Sequence, residues 1–198
     1  KHSVEEMRRL VGENMFSQVR CEDHRTDNCV DIGRTRHGTR VEVLKDIPEY
    51  DIVICTGDIE PHYMAGYSGG LKAILPGVCS RNTIEQNHEM MTQPGSRAGN
   101  ILGNPIREDI DDVSKLLKVD LIVNAILDDK RRIVKVVAGD PIAAHRKGVQ
   151  YSDMIYKVKV PEPGDIVIAS PGGYPRDINL YQAQKALENA RQATRPGG

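Results

Sequence analysis

Two short apolar runs, Asp51-Ile52-Val53-Ile54-Cys55 and Asp165-Ile166-Val167-Ile168-Ala169, are each followed within a few residues by a glycine-bearing segment. Continuous Val/Ile runs of this length that end at glycine have the pattern of buried parallel strands, which deliver the residues that follow to a pocket at the strand's carboxyl end. The pattern points to an α/β architecture and places the chemistry from Gly57 onward and from Ser170 onward. The second exit, Ser170-Pro171-Gly172-Gly173, leads to a helix expected from about Asp177 to Ala193.

The rest of the chain alternates accordingly. Ser3-Val4-Glu5-Glu6 is a capping box opening a helix that ends at Gly12, with Glu5, Arg8 and Arg9 on its charged face. Gln18 to Cys21 and Val30 to Ile32 read as short strands. Arg40 to Leu44 alternates as a half-buried strand able to pair with the Val30 segment across Arg34 to Thr39. Ser80 caps a helix through His88, and Asn104-Pro105 begins another with Ile106, Ile110, Val113 and Leu117 as its buried stripe. Val119 to Leu127 and Ile133 to Val137 predict a hairpin across Asp128-Asp129-Lys130. Asp140-Pro141 opens a helix whose His145 is expected at the surface. Pro161-Glu162-Pro163-Gly164 is the best boundary, dividing a main α/β domain, 1–160, from residues 161–198. The expected fold is a mixed sheet with flanking helices, followed by the start of a second, Rossmann-like α/β domain.

The stretch densest in chemistry runs from Gly57 to Gly77 and contains His62, Gly66, Gly69, Gly70 and Lys72. Gly69 and Gly70 permit positive φ and close approach to a ligand, with peptide N–H groups turned toward it. Lys72 then falls near the start of a short helix, where an anion is favoured and an amine can be partly desolvated. It is not a Walker A loop, since Ala73 follows the lysine, and no Gly-x-Gly-x-x-Gly is present. Residue types alone leave blander readings open. His62 can be a turn histidine bonded to backbone, and His88 an exposed neighbour of Ile84 and Glu85. Gln182 and Lys185 share a helix face on which such side chains are commonly solvated. The spacing of His62, Lys72 and His88 lacks the close pairs of a zinc site.

The run Glu60-Pro61-His62-Tyr63-Met64-Ala65-Gly66-Tyr67-Ser68-Gly69-Gly70-Leu71-Lys72, followed by Leu75-Pro76-Gly77, resembles the signature of the nickel-pincer lactate racemase family. Arg81-Asn82-Thr83-Ile84-Glu85-Gln86-Asn87-His88 and the segment Ser170 to Lys185 resemble the same family, in the same order. The resemblance implies a 2-hydroxy acid racemase or epimerase with a nickel-pincer nucleotide, pyridinium-3-thioamide-5-thiocarboxylate mononucleotide nickel. It implies that Lys72 anchors this cofactor covalently through a thioamide, and so belongs to the metal's surroundings, within the Gly69-Gly70 turn. His88 is then a nickel ligand, as suits imidazole and a square-planar late transition metal. His62 becomes one of two general acid/base residues, and Gln182 and Lys185 contribute to the substrate pocket, where an ammonium pairs with the substrate carboxylate. The reaction implied is reversible hydride transfer between the substrate's C2 and the pincer, with lactate as the family's reference substrate. Its partners would be a small 2-hydroxy acid and the proteins of cofactor biosynthesis.

Two elements of that family are absent ahead of this region: an Asp-Ala-Thr-Arg type loop, and a Gly-x-His-Arg type element with the second catalytic histidine. Lys1 to Met7 resembles the segment that would follow the latter, and Arg195 to Gly198 stops where a further strand is expected. The chain is therefore expected to be an internal piece of a longer protein, inactive by itself. Two other classes stay open on the residues: a non-catalytic phosphate- or nucleotide-binding module in which Lys72 only balances charge, and a metal-dependent hydrolase using His62 and His88.

With 27 basic and 28 acidic residues the net charge is −1, which gives no field to attract nucleic acid or a membrane surface. Cys21, Cys29, Cys55 and Cys79 form no Cys-x-x-Cys pair, and no apolar run is long enough to span a bilayer, so a reducing cytoplasm is expected. At 198 residues the chain can bury one substantial core, or one domain and part of another.

Overall fold

The computed structural model describes residues 2–198; Lys1, the first residue of the opening segment, lies outside them. Helix α1 (Val4–Val11) starts at the expected capping box, with Ser3 Oγ accepting the Glu6 N–H at 3.2 Å and the Glu6 carboxylate accepting the Ser3 N–H at 2.8 Å. Gly12, at φ 83°, ends it. A second short helix, α2 (Glu13–Gln18), takes the start of the segment expected as a strand over Gln18 to Cys21. Local bonds decide this: Gln18 Nε2 donates to Asn14 Oδ1 at 2.6 Å, one helical turn back.

Strands β1 (Cys29–Arg34) and β2 (Arg40–Leu44) form the expected antiparallel hairpin, and the alternation in β2 buries Val41 and Val43 completely. Strand β3 (Ile54–Asp58) follows, then the two-residue strands β4 (Pro61–His62) and β5 (Gly66–Tyr67), which pair antiparallel. A 3-10 turn over Gly70–Ala73 carries Lys72. Next come α3 (Arg81–Glu89), capped by Ser80, and α4 (Pro105–Asp112), capped by Asn104 with Pro105 in its first turn. Strands β6 (Leu121–Leu127) and β7 (Ile133–Gly139), α5 (Pro141–Tyr156) and α6 (Leu180–Ala193) complete the chain.

The main sheet has the order β3-β6-β7, with β3 parallel and β7 antiparallel to β6. Helix α5 packs against β6 and β7, and the inward positions Ile122, Asn124 and Ile126 are buried. The stripe of α4 is as expected: Ile106, Ile110 and Val113 are fully buried, and the following Leu117 nearly so, in the larger core cluster. The architecture is thus the expected α/β one, a mixed sheet with flanking helices.

Three further local expectations fail. The ladder of β3 begins at Ile54 rather than Asp51, and Ile52 and Ile54 are 65% and 51% exposed, because only the Cys55 side of the sheet is covered. Residues Asp165 to Ala169 form no strand. They have no ladder to join beyond the single bridge Gly164↔Thr194, and Ile166 and Ile168 stay exposed. His145, expected at the surface, is 1% exposed on the inner face of α5, with Nε2 at 2.9 Å from the Ser68 carbonyl. The ring is buried because it fills the space left by the missing side chain of Gly70, whose added Cβ would lie 2.9 Å from His145 Cδ2.

Candidate functional site

The parallel pair β3–β6 delivers the chain to the site. Past Asp58 the path is closed into a loop by Ser68, whose N–H donates to Glu60 O at 2.9 Å and whose hydroxyl donates to Asp58 O and accepts the Glu60 N–H, both also at 2.9 Å. Within that loop β4 and β5 pair His62 with Gly66. The turn between them brings the Ala65 N–H to His62 Nδ1 at 3.2 Å, and the His62 ring stacks on Tyr63 with centroids 5.0 Å apart.

The glycine turn is packed against the protein's own interior. Gly69 and Gly70 have φ of 74° and 63°, and a Cβ on Gly69 would fall 2.7 Å from Ile59 and 2.8 Å from the Asp58 carbonyl. The Gly70 N–H donates to Asn124 Oδ1 at 2.8 Å, so this amide is engaged inside the fold rather than turned toward a ligand. Leu71 and Ile74 are buried on either side of Lys72 and fix its backbone.

Lys72 itself is half-buried, and its amine makes no hydrogen bond or ion pair among the described residues. Burial, with Arg107 and Lys185 nearby, brings its pKa down to about 8 from the usual 10.5. His88 comes from the far end of α3. That helix is held against β2 by Thr83, whose hydroxyl donates to Arg40 O at 2.8 Å and accepts the Glu42 N–H at 2.9 Å. The half-buried His88 ring has no hydrogen-bond partner among the described residues, and burial and the Lys72 charge lower its pKa. His62 is pushed down to about 3, first by burial and then by the charges of Lys72, Lys185, Arg107 and His88. His62 therefore feels the charges of Lys72, His88 and Lys185, although the four residues come from four separate elements.

On α6, Lys185 Nζ donates to Gln182 Oε1 at 2.7 Å and sits 5.9 Å from the centre of the Tyr63 ring. A depression of about 290 Å³ opens beside them, lined by Glu60, Ser170, Arg176, Gln182, Lys185 and others. Burial and Asp58 raise the pKa of Glu60, whose carboxylate has no hydrogen bond or ion pair among the described residues.

Sequence reasoning passed over two residues that hold the site together, Asn104 and Arg107. Both are completely buried. Arg107 Nε donates to Ala65 O at 3.2 Å and Nη2 donates to Tyr67 O, so its guanidinium clamps both carbonyls flanking Gly66. Nη1 has no hydrogen-bond partner and lies 3.7 Å from Asp111 Oδ1. Burial lowers the Arg107 pKa to about 10. The only sequence signal was Asn104-Pro105, read as a helix start; nothing in the pattern separates Arg107 from a solvated arginine.

The donor set fits a group that brings metal ligands of its own. Among the described residues no three of the His, Cys, Asp and Glu side chains come together as a metal site. What is present is one unpartnered imidazole, His88, and one unpartnered amine, Lys72, amid cations that favour an anion.

Comparison with known proteins places the chain in a family. The lactate racemase N-terminal domain family matches residues 1–99, and the lactate racemase C-terminal domain family matches residues 159–198. The chain is 36% identical to the lactate racemase of Thermoanaerobacterium thermosaccharolyticum over 201 aligned residues, covering 99% of this chain and 47% of that protein. It is also 36% identical to the lactate racemase of Lactiplantibacillus plantarum, covering 98% of this chain and 47% of that protein. The solved lactate racemase apoprotein from T. thermosaccharolyticum superposes with a TM-score of 0.92 at 35% identity, over 98% of this chain and 48% of that one. A protein from Thermotoga maritima shares the fold at 16% identity, with a TM-score of 0.64 over 83% of this chain. The chain spans about half the length of the curated relatives it matches. With half of its residues matched by the first of these families, the chain belongs to the lactate racemase family.

Proposed function

We propose that this chain is the central part of a lactate racemase-like 2-hydroxy acid racemase or epimerase, an isomerase that works with a nickel-pincer nucleotide. The observation that carries the reading is the Lys72 amine: half-buried, without a partner, and close to His62 and His88. An amine with a pKa of about 8 stays mostly protonated near neutral pH, but its neutral form, the one needed to make an amide-type bond, is far more populated than in an ordinary lysine.

In this reading Lys72 holds the cofactor covalently, Gly69 and Gly70 shape the turn that presents it, and His88 is the protein's nickel ligand. When bound, the cofactor supplies a reversible hydride acceptor for the substrate's C2. The chain's own residues do the rest. Lys185, steadied by Gln182, binds the substrate carboxylate in the depression beside Glu60. His62, neutral throughout the physiological range, exchanges the proton of the substrate hydroxyl. The half-buried setting excludes much of the water that would compete for both groups.

We assign the main domain to residues 1–160 and the start of a second to 161–198, with the site between them. The four cysteines are free thiols and, among the described residues, no helix is long and apolar enough to cross a membrane; both are compatible with a cytoplasmic protein that meets its cofactor-biosynthesis partners there.

The test is peptide mapping of the full-length protein produced alongside the pincer-synthesis enzymes. The expected result is an adduct on the Lys72 peptide that disappears in Lys72→Ala, with bound nickel reduced in His88→Ala. An unmodified Lys72 in protein made with verified cofactor supply would overturn the reading.

A further inference from the structure

We propose that Glu60 is a specificity-determining residue, whose carboxylate sets the depression beside Lys185 to take a 2-hydroxy acid with one negative charge and to turn away one with two. This role rests on the reading above, in which Lys185 binds the substrate carboxylate there. The charged side chains lining the depression are Glu60, Arg176 and Lys185, and the neutral polar ones are Ser170, Gln182 and Asn189. With Glu60 ionised, the lining carries two cations and one carboxylate, a net charge of +1 that complements a monoanion.

The place of Glu60 is built into the loop. Its N–H donates to Ser68 Oγ and its carbonyl accepts the Ser68 N–H, both at 2.9 Å, so the backbone is held on both sides of the side chain. The half-buried carboxylate has no hydrogen bond or ion pair among the described residues. Lys185 does not neutralise it directly, because its Nζ is engaged by Gln182 Oε1 at 2.7 Å. Arg176 is exposed and its guanidinium is also without a hydrogen-bond or ion-pair partner among the described residues. The charges of Lys185, of Arg176 and of Arg131, from the turn after β6, all reach Glu60, with Asp58 acting in the opposite sense. An acid with one carboxylate pairs with Lys185 and leaves Glu60 and Arg176 to balance each other. A dicarboxylic acid brings a second carboxylate toward Arg176, where the half-buried Glu60 charge, less screened than the exposed guanidinium, repels it. Discrimination of this kind works by a repulsive element set against the wrong ligand.

The probes are lactate, with one carboxylate, and malate, with two. Each is titrated in mildly alkaline buffer into the full-length protein produced with the pincer-synthesis enzymes. The readout is the ratio of the two Kd values, with racemisation of each acid followed separately. The wild type is expected to bind lactate at least as tightly as malate. Glu60→Gln keeps the shape and removes the charge, and should move the ratio about tenfold toward malate. Glu60→Asp keeps the charge and should stay on the wild-type side, and adding Arg176→Gln to Glu60→Gln should cancel the gain for malate. If Glu60→Gln does not fold, Glu60→Ala removes the same charge and carries the test. A ratio unmoved in the folded variant, a wild type that prefers malate, or binding of neither acid overturns the inference. A shifted ratio in a protein that racemises neither acid supports the selecting role and overturns the racemase reading. Lactate racemised with an unmoved ratio leaves that reading standing and overturns the inference alone.

Discussion

The hydroxyls of Tyr63 and Tyr181 meet at 2.9 Å although the residues lie 118 apart in sequence. Their rings stand edge to face with centroids 6.4 Å apart, and the other contacts of Tyr63 are the stacked His62 and the Lys185 ammonium. Tyr63 is thus the shared wall between the His62 ring and α6. Tyr181→Phe should loosen α6 by about 0.5–1 kcal/mol, the ordinary worth of one partly exposed hydrogen bond. The check is amide exchange along α6, which should quicken in the variant; unchanged exchange would show that the bond does not hold the helix.

Arg107→Met, on α4, should be among the most damaging single changes to the loop that carries His62. It leaves Tyr67 O without this donor in a buried setting, at a cost of about 1–3 kcal/mol, while Ala65 O loses one donor and keeps the Tyr67 N–H at 2.9 Å. Removing the cation should also move the His62 pKa upward from about 3, toward the usual 6.5. An NMR titration of His62 in the variant reads that direction, and a value that stays put would show that the Arg107 charge does not contribute. Arg107→Lys should not restore the clamp, since one ammonium cannot reproduce the guanidinium fork.

Burial pushes the His145 pKa down to about 3, helped by the Arg107 charge. The unfolded chain takes up a proton at this ring as pH falls through 6.5, whereas the folded chain waits until about 3. Stability should therefore decline with falling pH inside that window, by up to about 1.4 kcal/mol per pH unit from this group. His62 contributes in the same direction. Denaturant melts of His145→Asn should show a shallower acid slope than the wild type; equal slopes would mean that the ring is not held neutral.

Gly70→Ala should destabilise by about 1–3 kcal/mol, combining a φ of 63° with a Cβ placed 2.9 Å from His145. Gly38→Ala provides the contrast, because φ there is 88° but nothing lies within 4 Å of the added methyl. Thermal melts of the two variants separate backbone strain from collision. Comparable losses in both would remove His145 from the explanation.

The sequence made the fold class visible because β2 and α4 carry unambiguous periods, with Val41 and Val43 alternating and Ile106, Ile110 and Val113 one helical face apart. It misplaced elements where a partner decides the outcome. Asp165 to Ala169 has strand composition but only one bridge to join, and Gln18 falls under the local pull of Asn14. The candidate site residues rest on resemblance, since residue types alone leave His62, His88 and Lys72 with ordinary readings. What no pattern could reveal was the supporting shell. Arg107 and Asn104 act on backbone carbonyls some 40 residues away, and such contacts leave no period in the chain.

Lys72, Arg107 and Lys185 reach one neighbourhood from a 3-10 turn, α4 and α6, and each works against protonation of His62. The fold therefore gathers three cations around one ring, and among the described residues only Arg107 has a carboxylate at ion-pair distance, Asp111 at 3.7 Å. An anionic occupant would serve as the missing counter-ion and so as part of the architecture, binding only the folded form and raising the melting temperature with the logarithm of its concentration. Loading the site and stabilising the protein would then be a single thermodynamic event.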